Sequence, residues 1–203
     1  FPRRTNAAPM HHTWRPRRVD SRGHDTLIGM WRHHTQVNGW SDIAQHLTID
    51  PQGFVWLGRN WNLPPASASG NNGNRALGPF MFEMVGDFDA GREPFDGPQR
   101  ETALRVVALV QRRVGLPPAS LRFHNMMSPK SCPGSAIHSD ATVAEVARLH
   151  EMLGAAREAQ ARPRDLPFPD EAEAFLQQMV RGLGRVTDNA GEPADAEPQE
   201  AHE

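Results

Sequence analysis

The stretch that decides the fold runs Ile43-Ala44-Gln45-His46-Leu47-Thr48-Ile49-Asp50-Pro51-Gln52-Gly53-Phe54-Val55-Trp56-Leu57. Ile43 to Ile49 has the apolar and β-branched character of a strand, and Phe54 to Leu57 repeats it. Asp50-Pro51-Gln52-Gly53 between them is turn chemistry, so the stretch predicts a β-hairpin. Toward the N-terminus, Leu27, Ile28 and Trp31 follow helical spacing behind Asp25, a capping residue, and Asn38-Gly39 ends that helix. His24, His33 and His34 lie on or near it and read as packing or surface residues. Met10-His11-His12-Thr13 ends a short strand, preceded by a polar extension over residues 1–9 and followed by a Pro/Arg loop through Gly23.

Toward the C-terminus, residues 60–74 form a long loop of Pro, Ser, Gly and Asn. A polar loop of that length in a compact domain is more often functional than spare. Pro79 to Phe88 is a third, mostly apolar strand with Glu83 in its middle, and a charge there is costly unless paired or functional. Pro98 to Val114 is a buried helix, ended by Gly115 and stopped by Pro117-Pro118. Leu121-Arg122-Phe123 is a short strand, and Thr142 to Leu153 an amphipathic helix. A Pro-rich linker, Arg162 to Pro169, precedes a last helix capped by Asp170, with Ala172, Phe175, Leu176, Met179 and Val180 in register. From Thr187 the acidic tail has the composition of a disordered segment. The order β-α-β-β-β-α-β-α predicts an α/β fold, a mixed central β-sheet flanked by helices. The expected division is an extension over 1–9, a domain over 10–137, a helical extension over 138–186 and a tail over 187–203.

A chain of 203 residues suits one domain of roughly 150–180 residues plus tails. Its net charge of −2 carries no electrostatic footprint for nucleic acid and no polybasic membrane patch. Arg15, Arg17, Arg18 and Arg22 read as a solvated loop face. A single cysteine excludes an intramolecular disulfide framework. No apolar run approaches the roughly 20 residues of a membrane span. The sequence starts at Phe1 without a methionine, which leaves room for a removed leader. Ten histidines stand beside no tyrosine, so proton transfer would fall to His, Glu, Asp or Lys.

The chemistry concentrates in His124-Asn125-Met126-Met127-Ser128-Pro129-Lys130-Ser131-Cys132-Pro133-Gly134. His124 and Cys132, at the two ends of a loop, can converge on one metal ion, and Pro133-Gly134 turns the chain away from the thiolate. A catalytic zinc takes three protein ligands and keeps an open position, so a third ligand is wanted, and His11 or His12 can supply it. Glu83 has the chemistry of a general base and Lys130 that of an oxyanion-stabilising cation. Set against this, Cys132 can be a small core residue, His124 a satisfied loop histidine and Lys130 a surface cation.

Taken together, His11-His12-Thr13, Gly39-Trp40-Ser41-Asp42-Ile43-Ala44-Gln45-His46 through Gly53, Val85-Gly86-Asp87-Phe88 and His124 through Gly134 resemble a known family. It is that of the zinc-dependent N-acetylmuramoyl-L-alanine amidases of the peptidoglycan-recognition-protein and phage amidase-type lysozyme superfamily. The likeness covers about residues 10–137. It implies zinc held by His11, His124 and Cys132. It also implies hydrolysis of the amide between N-acetylmuramic acid and L-alanine of the peptidoglycan stem peptide. Water activated at zinc would attack, with Glu83 taking its proton and Lys130 helping to hold the oxyanion. The implied partner is peptidoglycan or a muropeptide, and the implied location periplasmic or secreted, with the cytoplasm the remaining alternative.

Two positions depart from the family pattern. Gln45 stands where many members carry a catalytic tyrosine, and Ser67 stands where a loop histidine is found. Substrate contacts are therefore expected at His46, Gln45, Asn62, Ser67 and Asn74, with the role of the 60–74 loop open. Two other readings remain: a peptidoglycan-binding module without catalysis, resting on the missing tyrosine, and a copper site using Met126 or Met127. The order of His and Met around Cys132 disfavours copper.

Overall fold

The computed structural model describes residues 4–66 and 77–161. Ten elements follow in order: β1 (Arg4–Thr5), β2 (Ala8–His12), α1 (His24–Arg32), β3 (Leu47–Ile49), β4 (Val55–Leu57), β5 (Leu77–Gly78), β6 (Phe82–Met84), α2 (Gly97–Val114), β7 (Leu121–Phe123) and α3 (Ser139–Ala161). A π-helical turn, His33–Val37, continues α1. The main sheet is ordered β4-β3-β6-β2-β7. It is parallel except for the antiparallel β3–β4 hairpin, so the expected mixed sheet with flanking helices is present.

The hairpin forms around Asp50. Its carboxylate accepts the Gln52 and Phe54 amides at 3.0 and 2.9 Å and the Trp56 indole N–H at 2.8 Å, while Gly53 supplies a φ of 84°. One acidic side chain thus satisfies the turn's donors and ties the returning strand to it. The ladder covers only Leu47–Ile49, shorter than the predicted 43–49. Upstream, the Gln45 and His46 carbonyls accept from the Arg59 and Gly58 amides instead of continuing the regular register. Gly58 runs so close to Gln45 that a Cβ would collide with its carbonyl.

Two further sequence readings are corrected. Residues 4–9 are no loose extension: β1 pairs with β5, and Ala8 and Pro9 open the central strand β2, buried beside β7. Asp25 does not cap α1. Gly23 occupies the cap with φ 54°, and Asp25 sits in the first turn, where its charge complements the helix dipole.

Strand alternation and register sort the sheet into two faces. Ala8, Met10, Leu47, Ile49, Phe82, Met84, Leu121 and Phe123 belong to one core cluster with Ala103, Leu104, Val107 and Ala108 of α2 and Val146 of α3. Phe82 and Phe123 are almost wholly buried, each removing apolar surface worth about 1.5–3 kcal/mol. Gln99 pins α2 to the sheet by donating to the Ile49 and Val85 carbonyls, both at 2.9 Å. Gly115, left-handed at φ 73°, ends α2 as predicted, and an Arg100–Glu145 ion pair joins α2 to α3. The opposite face carries His11, Thr48 and Glu83, level with one another across three adjacent strands. No helix among the described residues is long and apolar enough to cross a membrane. The linker, last helix and acidic tail predicted after residue 161 lie outside the described residues.

Candidate metal centre

His11 projects from β2, between β6 and β7, and β7 ends one residue before His124, beside β2. The two imidazoles meet with ring centroids 4.5 Å apart. Cys132 returns at the far end of the loop, which the Asn125 amide closes by donating to the Cys132 carbonyl at 2.6 Å. The Cys132 sulfur then lies 3.5 Å from His11 Nδ1. Donor atoms of His11, His124 and Cys132 all fall within 4.8 Å of one another, and all three residues are buried. Tetrahedral zinc with bonds of about 2.0–2.3 Å separates its ligand atoms by roughly 3.5 Å, so this donor set fits that ion in type and spacing.

The electrostatics leave two imidazoles free to ligate and a thiol that ligates only by giving up its proton. Burial, reinforced by His124, pulls the His11 pKa down to about 3, and burial together with the Lys130 charge lowers that of His124. Both imidazoles are therefore neutral, with a lone pair to offer. Burial pushes the Cys132 thiol up to about 12, partly relieved by the His12 amide, which donates to the sulfur at 3.4 Å. That thiol ionises only when a cation compensates it.

His12, the other candidate in the pair, faces away. Its Nδ1 accepts the Phe88 amide at 3.2 Å and its ring is tilted toward that of Phe88, centroids 6.1 Å apart. Strand alternation alone separates the two histidines, which is why the structure brings His11 and not His12 to the cluster.

Glu83 shares the ligand face, opposite His11 on β2 and Thr48 on β3. Its Oε2 is buried with no hydrogen-bond partner among the described residues, and burial raises its pKa to about 7. Its charge in turn raises the Cys132 thiol, which puts the carboxylate within electrostatic reach of the sulfur. Lys130 is exposed, yet its charge lowers the pKa of His11, His124 and Cys132 alike.

The expected substrate contacts fare differently. His46 is fully buried: Nδ1 accepts the Met81 amide at 3.0 Å, Nε2 donates to the Leu63 carbonyl at 2.9 Å, and the ring stacks on Phe80. With both nitrogens committed to backbone, it is a core residue that holds the start of the 60–74 loop. Gln45 is also fully buried, donating to Thr48 Oγ1 at 2.8 Å, and offers no surface to a ligand. Asn62 sits exposed on a turn closed by its own amide donating to Asn60 Oδ1 at 2.9 Å. No contact joins it to the cluster among the described residues. Ser67 and Asn74 lie outside the described residues.

Sequence reasoning missed Asp89, whose carboxylate touches residues on both sides of Cys132. It also missed Arg59, which grips the Ile43, Asp42 and Pro64 carbonyls. Only the Gly86-Asp87-Phe88 turn pointed near Asp89, and nothing in the sequence pointed to Arg59.

The N-acetylmuramoyl-L-alanine amidase family model matches residues 2–135. The human N-acetylmuramoyl-L-alanine amidase is 29% identical over 137 residues, covering 63% of this chain and 22% of the human protein. The chain thus spans about a fifth of the length of that relative. Among solved structures, LysC, an N-acetylmuramoyl-L-alanine amidase of Clostridium intestinale, superposes with a TM-score of 0.57 at 20% identity, covering 72% of this chain and 86% of LysC. A mutant of Drosophila PGRP-LB in complex with tracheal cytotoxin superposes at 0.56 and 21% identity, covering 68% of this chain and 79% of that one. At such identities the two structures speak to the fold alone.

Proposed function

Because the chain belongs to the N-acetylmuramoyl-L-alanine amidase family, we propose that it cleaves the amide between N-acetylmuramic acid and L-alanine of the peptidoglycan stem peptide. The observation that carries this reading is the buried His11–His124–Cys132 cluster with the unpartnered Glu83 carboxylate on the same sheet face. His11, His124 and Cys132 would hold zinc. When bound, zinc supplies Lewis-acid chemistry, acidifying water and polarising an amide carbonyl.

The chain's own residues do the rest. Glu83, with a pKa near neutrality, takes a proton from the attacking water and returns it to the departing amine of L-alanine. Among the described residues, no hydrogen bond competes for Oε2 before it acts. Lys130, at the rim of the cluster, offers a cation to the oxygen on which negative charge develops. The absent tyrosine does not leave the site without a base, since Gln45 is buried behind Thr48 and Glu83 occupies the ligand face. The substrate's own location supports a periplasmic or secreted site of action.

A binding module without catalysis is the second reading, favoured only by Gln45. The test is release of dye-labelled peptidoglycan by zinc-loaded wild type and Cys132→Ser. Release by the wild type alone is the expected result. Equal release by both would sink the zinc-hydrolase reading, and binding without release by the wild type would select the module.

A further inference from the structure

We propose that Asp89 is a positioning residue for the metal centre, clamping the segment that carries Cys132 from both sides; this rests on the reading of the cluster as a zinc site. Asp89 follows Phe88 on the turn beyond β6. Its Oδ2 accepts from the Ser131 hydroxyl and its Oδ1 from the Ser135 amide, both at 2.9 Å. One carboxylate therefore grips the residue before Cys132 and the residue three after it. The Ala90 amide answers by donating to Ser135 Oγ at 2.9 Å, and the Ala136 amide donates to the Phe88 carbonyl at 3.1 Å. Gly134 passes so close beneath that any Cβ would run into the Phe88 carbonyl, at a φ of 127° that disfavours other residues.

The same turn reaches the strand that bears His11. The Phe88 amide donates to His12 Nδ1, and the His12 amide donates to the Cys132 sulfur. A closed circuit results, from the sulfur through His12, Phe88 and Asp89 to Ser131 and Ser135, and back to the sulfur. A ligand on a loop binds well only if the free loop already holds the bound geometry, because ordering it later costs affinity.

The Asp89 carboxylate is partly exposed, so water competes for its contacts and the effect on overall stability is small.

The experiment compares the parent, Asp89→Ala and Asp89→Asn. Zinc affinity is read by competition with a chromophoric chelator, thiolate-to-metal absorption in the cobalt(II)-loaded proteins, and Ser135 amide exchange in the metal-free ones. Asp89→Ala should bind zinc about 10–100-fold more weakly, with an altered cobalt band and faster Ser135 exchange. Asp89→Asn, whose amide can still accept from Ser135 and contact Ser131 Oγ, should recover most of the loss. A merely structural role would lower the melting temperature of Asp89→Ala without moving the zinc affinity of the folded protein. Folded Asp89→Ala binding zinc within about twofold of the parent would overturn the clamp. A parent that binds no zinc would instead sink the metal reading. The clamp is then judged on exchange alone, and equal Ser135 protection in parent and Asp89→Ala overturns it.

Discussion

Glu83 stands opposite His11 across the parallel ladder of β2 and β6, so the carboxylate, whose Oε2 has no partner among the described residues, and the first candidate metal ligand share one sheet face. In a pleated sheet that placement is rigid, because neither residue can shift without breaking the register of the central strands. Several measurable consequences come from it.

The metal-free protein should lose stability as pH rises through Glu83's range. Burial raises this carboxyl from 4.5 to about 7, so the folded state holds a proton that the unfolded chain releases. The contribution is fully present below about pH 4.5 and lost as pH climbs through 7, on the order of 3 kcal/mol in all. Chemical denaturation at a series of pH values should show that decline, and Glu83→Gln should flatten it. In the zinc-loaded protein the same substitution should cut hydrolysis by about 10²-fold or more while zinc content stays unchanged.

Zinc affinity should rise with pH. The thiol is held up to about 12, so the metal must displace its proton at any ordinary pH. The imidazoles, already pulled down, contribute none. Affinity should therefore climb about tenfold per pH unit above neutrality, and more steeply below it, where Glu83 also gives up a proton. Calorimetry in buffers of different ionisation enthalpy counts those protons. A slope near zero would mean that Cys132 is not a ligand.

Lys130→Ala should separate binding from chemistry. Its charge opposes every cation at the cluster, so its removal leaves zinc affinity equal or slightly tighter. If it holds the developing oxyanion, kcat falls about 10²–10³-fold with KM nearly unchanged. Steady-state kinetics beside zinc titration reads both.

His46→Ala should behave as a core mutation. It removes the ring's bonds to the Met81 amide and the Leu63 carbonyl and opens a space beside Phe80. A cost of about 2–4 kcal/mol in denaturant unfolding is expected. A raised KM at unchanged stability would restore His46 as a substrate contact.

Much of the site was legible from residue types and their spacing. His124 and Cys132 at two ends of a proline-containing loop announced convergence, and Glu83 announced itself as a charge inside an apolar strand. The hairpin at Asp50, the helix ending at Gly115 and the order of the main sheet's strands and helices, though not β1 and β5, were legible for the same reason. Turn residues and periodic apolar positions act through near neighbours in the chain, and near neighbours are what a sequence displays.

Other features depended on distant partners. His46 looked like a cleft residue until Phe80, Met81 and Leu63 closed around it, contacts 17 and 35 positions apart in the chain for the two hydrogen bonds. Gln45 was expected to touch substrate until the Arg59 amide, 14 positions on, bonded its carbonyl and it was buried inside the fold. Asp89 drew no reading from the sequence, because the loop that folds onto it lies more than 40 positions away. The sequence by itself determined which groups this protein has for metal and proton chemistry and in what order the strands deliver them. The tertiary structure decided which of those groups face one another, because facing is set by parallel register and packing between strands far apart in the chain, and no local pattern encodes it.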